Sequence, residues 1–148
     1  MKWLDLPPVW LAAFLSVAWG IARLLPGLTV DAVWLRWLGV AIVVAGLGLM
    51  VLAIRQMAKH RTTVIPHRQP SALVSTGIFR ISRNPIYLGD ALILTGAILW
   101  WGAVVALPLI PVFIWLIGHR FISPEEARLR TGFGEDFVEW SERTRRWL

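Results

Sequence analysis

Two short stretches hold the residues that could do chemistry. "RNPIY", Arg83 to Tyr87, sets charge and an asparagine at the mouth of an apolar run, and "HRFISPEE", His119 to Glu126, sets two carboxylates at the end of another. Asn84 is a helix-capping residue type and Pro85 suits a first helical position, so the first stretch reads as a helix start with Tyr87 in its opening turn. The unpaired N–H groups of a helix start attract an anion. Glu125 and Glu126 attract a cation. A ligand carrying both signs fits between them.

Four apolar segments must position these groups. A helix needs about 20 residues to cross a hydrocarbon core about 30 Å thick. Pro7 to Leu25 meets that length, and Pro26-Gly27 ends it in a turn. Trp37 to Ile54 is the second span, with Gly39, Gly46 and Gly48 suited to close helix contact. Ala91 to Gly118 is 28 residues without a charge, too long for one upright span. It divides at "WWG" into helices over about Pro85 to Trp101 and Ala103 to Ile122, or else forms one helix kinked at Pro108 and Pro111. After it, "SPEEARLRTG" predicts a short helix with Ser123 as cap, Pro124 at the first position, Glu126 completing a capping box and Gly132 closing it. "EDFVEWSERTRRWL" places Phe137, Trp140, Thr144 and Trp147 on one face, an amphipathic helix for the membrane surface or for the loop before it.

The expected fold is therefore all-α and integral to a membrane, one domain over 1–148. It comprises two amino-terminal spans (1–54), a basic loop (55–84), a helical hairpin (85–122) and carboxy-terminal helices (123–148). Composition agrees: 57% of residues are hydrophobic, the mean hydropathy is +0.63, and many of the ten tryptophans sit at the ends of apolar runs, where headgroups lie. The 55–84 loop carries Arg55, Lys59, Arg61, Arg68, Arg80 and Arg83 and no acid, which places it in the cytoplasm with both termini. The net charge of +6 is thereby read as attraction to anionic lipid heads, not to nucleic acid. No cysteine is present, which excludes thiolate and disulfide chemistry. His60, His67 and His119 lack metal-ligand spacing, so no metal site is expected. "GLG" at Gly46 to Gly48 lies within a span and lacks the context of a nucleotide loop.

The pair "LVSTGIFRISRNPIYLG" and "FISPEEARLRTGFGEDFVEW" resembles the integral-membrane methyltransferases of the isoprenylcysteine carboxyl methyltransferase group, whose two-part pattern phospholipid N-methyltransferases share. The resemblance covers roughly Pro70 to Leu148. It implies S-adenosylmethionine as cofactor, held at the cytoplasmic surface by Ser71, Ala72, Leu73 and Val74, by Phe79, by Asn84, Pro85, Ile86 and Tyr87, and by Glu125 with Glu126. Many relatives place an arginine four residues before the first glutamate, where this chain has Phe121. Arg120 is then the candidate to orient an acceptor carboxylate, although a one-residue offset turns it about 100° around a helix.

The resemblance implies methyl transfer to an amphipathic acceptor within the bilayer. First in order stands the carboxylate of an isoprenylcysteine-like substrate, then a lipid amine, then a small thiol. Two readings of another class remain open beside it. One is a non-catalytic membrane subunit using the same cleft for lipid or a partner; the other is a polybasic surface anchor.

Overall fold

Pro7 has no N–H to leave unpaired, and it opens the first helix of a chain whose regular elements are all helical among the described residues. The structure is a computed structural model that describes residues 6–62 and 72–148. Ser71, His67 and Arg68 lie outside the described residues. The helices are α1 (Pro7–Leu24), α2 (Val33–Lys59), α3 (Pro85–Trp100), α4 (Leu109–Ile117) and α5 (Ser123–Arg143). Three helical stretches, α1, α2 and Val104–Arg143, are long and apolar enough to cross a membrane, and α3 is an apolar helix of 16 residues. The all-α membrane architecture expected from the sequence is the one observed.

α2 runs further than its apolar stretch. Nothing in "RQMAK" breaks a helix, so the second span continues past Ile54 to Lys59 and reaches 27 residues. At 1.5 Å per residue that is about 40 Å, longer than the hydrocarbon core, and both ends emerge from it. The Ala91 to Gly118 region does divide in two. α3 ends at Trp100, a short 3-10 turn occupies Val104–Ala106, and α4 begins only at Leu109, six residues later than hydropathy suggests. Gly102 makes the turn at φ +63°, where a Cβ would come 2.2 Å from the Val30 carbonyl oxygen. Its own carbonyl accepts a 2.8 Å bond from the Val30 N–H, tying the α1–α2 and α3–α4 connections together.

α3 is the centre of the bundle, packed chiefly on α2 and also on α1 and α4. Two glycine pairs let α2 and α3 touch backbone to backbone. A Cβ on Gly39 would lie 2.5 Å from the Gly96 oxygen, and one on Gly46 would lie 2.8 Å from that of Gly89. The pairs are seven residues apart on each helix, two turns of one contact stripe. Gly48, expected in the same role, has no neighbour within 4 Å and is not part of the contact. On the other side of α3, Leu94, Ile98, Phe113 and Ile117 form the fully buried membrane core, with Phe14 of α1 edge-on to Phe113 at 5.3 Å.

The capping box expected at Ser123 does not form. Backbone angles stay helical from Ile117 through Ser123, with a π-helical segment at Gly118–Ile122 between α4 and α5. Proline in a helix clashes with the carbonyl four residues back and removes a bond. The wider π turn ends one residue short of Pro124 and accommodates that misfit, while the Ser123 hydroxyl donates to the Gly118 carbonyl at 2.9 Å instead of capping. Nor does Gly132 close the helix. The break comes at Gly134, with φ +52° and ψ −122°, a conformation that a side chain would strain.

Beyond that break Phe137 and Trp140 pack with Ala53, Val74 and Phe79 in a second buried cluster. Of the face expected for the last amphipathic segment, Phe137 and Trp140 cover the loop before α3, whereas the helix ends at Arg143 and Trp147 packs on the first cluster instead. The Trp140 indole N–H donates to the Phe79 carbonyl at 3.0 Å, which fixes the loop beneath it.

Candidate active site

The Tyr87 hydroxyl donates to Oε2 of Glu125 at 3.0 Å. Pro85 starts α3 and puts Tyr87 on its first turn, facing α5. The π segment sets the rotation of α5 so that Glu125 meets it. Beside this contact is a cavity of about 430 Å³, within the range of about 300–1,000 Å³ usual for ligand sites. Phe79, Asn84, Pro85, Ile86, Tyr87 and Glu125 line it, and six of the residues carried over from the family resemblance thus share one wall. Met50, Ile54 and Met57 of α2 form the apolar wall opposite, and Leu6, Pro7 and Pro8 at the start of α1 complete the lining. The beginning of α1, the end of α2 and the beginning of α3 are therefore at the same end of the bundle.

The remaining lining residues are charged. Arg83 stands at the mouth, with its Nε buried and without a hydrogen-bond partner. Asp90 lines the cavity from within α3 and is 2% exposed. One cation and two carboxylates thus surround a mostly apolar space. No side chain caps the start of α3, so its first N–H groups remain available to a ligand.

Asn84 occupies the cap position but does another job. Its side-chain amide donates to the Arg146 carbonyl at 2.9 Å, and the Arg83 N–H donates to the Arg145 carbonyl at 3.0 Å. The last residues of the chain thereby form a strap across "RN". Glu126 anchors the strap: Arg146 pairs with it at 2.5 Å and Arg83 at 3.4 Å. Glu126 is thus held between two arginines and does not line the cavity.

The other expected positions lie elsewhere. Arg120 does not line the cavity; its guanidinium is 5.6 Å from the Trp10 ring centroid, on the face of the π segment turned toward α1. Val74 is buried in the second cluster and Ala72 is half-buried. Leu73 lines a separate cleft of about 560 Å³ with Arg80, Glu139 and Arg143. Among the described residues no group of three or more His, Asp or Glu is placed to hold a metal ion.

A model of the phospholipid methyltransferase family matches residues 34–136. The chain belongs to this family. The matched region takes in α2, α3 and most of α5, and so contains both halves of the Tyr87–Glu125 contact. Neither the curated proteins nor the solved structures offer a match. The family is one of methyltransferases, which implies S-adenosylmethionine as methyl donor, and three helical stretches of this chain are long and apolar enough to cross a membrane.

Three features of this cavity are only partly legible by motif. Asp90 had a signal, for it is the one charge between Arg83 and His119, and an acid inside an apolar helix marks function. Arg83 was legible as a charge at a helix mouth, but basic residues there also serve topology. The strap had none, because its bonds come from main-chain carbonyls and carry no residue type.

Proposed function

We propose that this protein transfers a methyl group from S-adenosylmethionine to an amphipathic acceptor that enters the cavity from the bilayer. The observation that carries it is the closure of Tyr87 on Glu125 beside a charged cavity of ligand size. The residues fit the cofactor. The buried, unpartnered Nε of Arg83 and the uncapped start of α3 suit a carboxylate. Glu125, held in place by Tyr87, suits an ammonium group or ribose hydroxyls. Phe79, Ile86 and Met57 offer apolar surface to a base. Asn84 and Pro85 set the wall between them, while Ala72, Leu73, Val74 and Glu126 support the site from outside the cavity.

When bound, the cofactor supplies a methyl group activated on a sulfonium. The protein's part is alignment and exclusion of water. Positioning of this kind is worth about 7–11 kcal/mol in the best intramolecular cases. Met50, Ile54 and Met57 keep the reaction space dry, and they continue into the lipid-facing surface of α2.

For the acceptor, the amine of a lipid is the reading the charges favour. Two carboxylates line the cavity against one arginine, and they attract an ammonium head and repel a carboxylate. Transfer to an isoprenylcysteine-like carboxylate is the second reading, and Arg83 favours it as the cation on hand. The fork expected of Arg120 is turned toward Trp10. By the positive-inside rule the basic 55–83 stretch puts the cavity and both termini at the cytoplasmic leaflet.

Calorimetric titration of the detergent-purified protein with S-adenosylhomocysteine tests the proposal. Saturable heat is expected, lost in Glu125→Ala and retained in Arg36→Ala, whose exposed side chain pairs with Asp31. No heat in any lipid condition would instead leave the chain a non-catalytic membrane subunit.

A further inference from the structure

Asp90 has entered so far only as one of the two cavity carboxylates, with no chemical step of its own. It follows Tyr87 by three residues and so lies on the same face of α3, about 4.5 Å deeper along the helix axis. It is 2% exposed and lines the cavity, yet its carboxylate has no hydrogen-bond or ion-pair partner among the described residues. A buried carboxylate without a partner is among the costliest groups a fold can keep. Its surroundings give nothing back. Met50 stands at the same depth, so near Gly89 that a Cβ there would come 2.5 Å from its Cγ. Such a group persists when a ligand completes it.

Depth indicates which ligand. Arg83, Tyr87 and Glu125 gather where α3 begins, the end at which a water-soluble cofactor arrives. Asp90 faces the inner part of the same cavity, between apolar residues of α2, where a lipid head drawn in from the bilayer would stop. We propose that Asp90 is the catalytic residue of the acceptor side, pairing with the ammonium head of a lipid amine and taking its proton. This rests on the methyl-transfer reading above and deepens it.

The step balances without a further reactant. The ammonium N–H bond breaks and its proton passes to an Asp90 oxygen, leaving the lone pair on nitrogen. In a dry site a neutral amine beside a carboxylic acid approaches the ion pair in energy, because burial penalises both charges. The nitrogen pair then forms the bond to the methyl carbon as the carbon–sulfur bond breaks, and that pair stays on sulfur. A carboxylate acceptor has no proton to lose and would gain nothing from Asp90.

The full-length protein in nanodiscs, with radiolabelled S-adenosylmethionine and phosphatidylethanolamine, tests this in single turnover. Asp90→Asn is expected to bind S-adenosylhomocysteine within about threefold of the parent and to transfer methyl about a hundredfold or more slowly. Asp90→Glu should recover part of the rate. Binding of dodecylamine without donor, by calorimetry, should weaken about tenfold in Asp90→Asn. Parental transfer by Asp90→Asn overturns the proposal. So does parent protein that methylates S-farnesylcysteine and not phosphatidylethanolamine, with the methyltransferase reading left standing. Loss of S-adenosylhomocysteine binding in Asp90→Asn would move Asp90 to the cofactor side, against the proposal. A parent protein that binds no S-adenosylhomocysteine overturns both readings.

Discussion

Tyr87 and Glu125 are 38 residues apart in the chain and 3.0 Å apart in space, hydroxyl to carboxylate. One belongs to the first turn of α3 and the other to the first turn of α5, so the contact records how two helices are set in rotation and in height. Tyr87→Phe removes the donor and leaves the ring. A hydrogen bond to a charged group is worth about 1.5–3 kcal/mol, so S-adenosylhomocysteine should bind about 10–100-fold more weakly by calorimetry. Unchanged affinity would mean that Glu125 needs no such support.

The strap separates main-chain from side-chain effects. Ending the chain after Thr144 removes the Arg145 and Arg146 carbonyls that hold Arg83 and Asn84, and ligand binding should be lost. Arg146→Ala keeps those carbonyls and gives up only a pair whose arginine is 42% exposed. The expected cost there is about 1 kcal/mol or less, a modest shift in affinity. Equal damage from the two changes would show that the ion pair, not the backbone, carries the strap.

Glycines on the two faces of α2 should respond oppositely. Gly46→Val thrusts a side chain at the Gly89 carbonyl, 2.8 Å from the position of its Cβ, and should cost about 1–3 kcal/mol with a lower unfolding temperature in detergent. Gly48→Ala has no neighbour within 4 Å and adds helix propensity, so it should be neutral or stabilising by up to about 1 kcal/mol.

The chain has no cysteine, which makes topology directly measurable. Single cysteines at Asp31 and Glu139, both exposed, sit on the α1–α2 connection and beyond the Gly134 break. In inverted membrane vesicles an impermeant maleimide should label Glu139→Cys, and in intact spheroplasts Asp31→Cys. The reverse pattern would place the cavity on the outer side.

Much of this molecule can be read along the chain. Apolar runs long enough to cross a bilayer, the "WWG" turn and the Pro85 helix start follow from burial, turn geometry and the proline ring, all local properties, and α1 and α3 form where they indicate, while α2 runs longer and α4 starts later. The paired "RNPIY" and "SPEE" elements likewise indicated which residues meet, and Asn84 to Tyr87 and Glu125 do line one cavity. Ser123 shows where local reading fails. Its pattern is that of a helix cap, but the preceding apolar turn, buried at Phe121 and Ile122, keeps the backbone helical and absorbs Pro124 in a π segment. The free energy of packing that turn outweighs a cap worth about 1 kcal/mol.

Rotation about a helix axis is a property of packing and has no local code. A π turn shifts everything after it around the axis, and that shift decides that Glu125 faces Tyr87 while Glu126 goes to Arg83 and Arg146 and Arg120 goes to Trp10. Asp90 could be seen as an acid in an apolar helix, but only the approach of α2 through Gly46 and Gly89 makes the face beside it a cavity wall. The sequence by itself determined that the chain is built of apolar helices and which residue types it holds for chemistry. The tertiary structure alone decided which of them share one space, because that depends on contacts between distant turns.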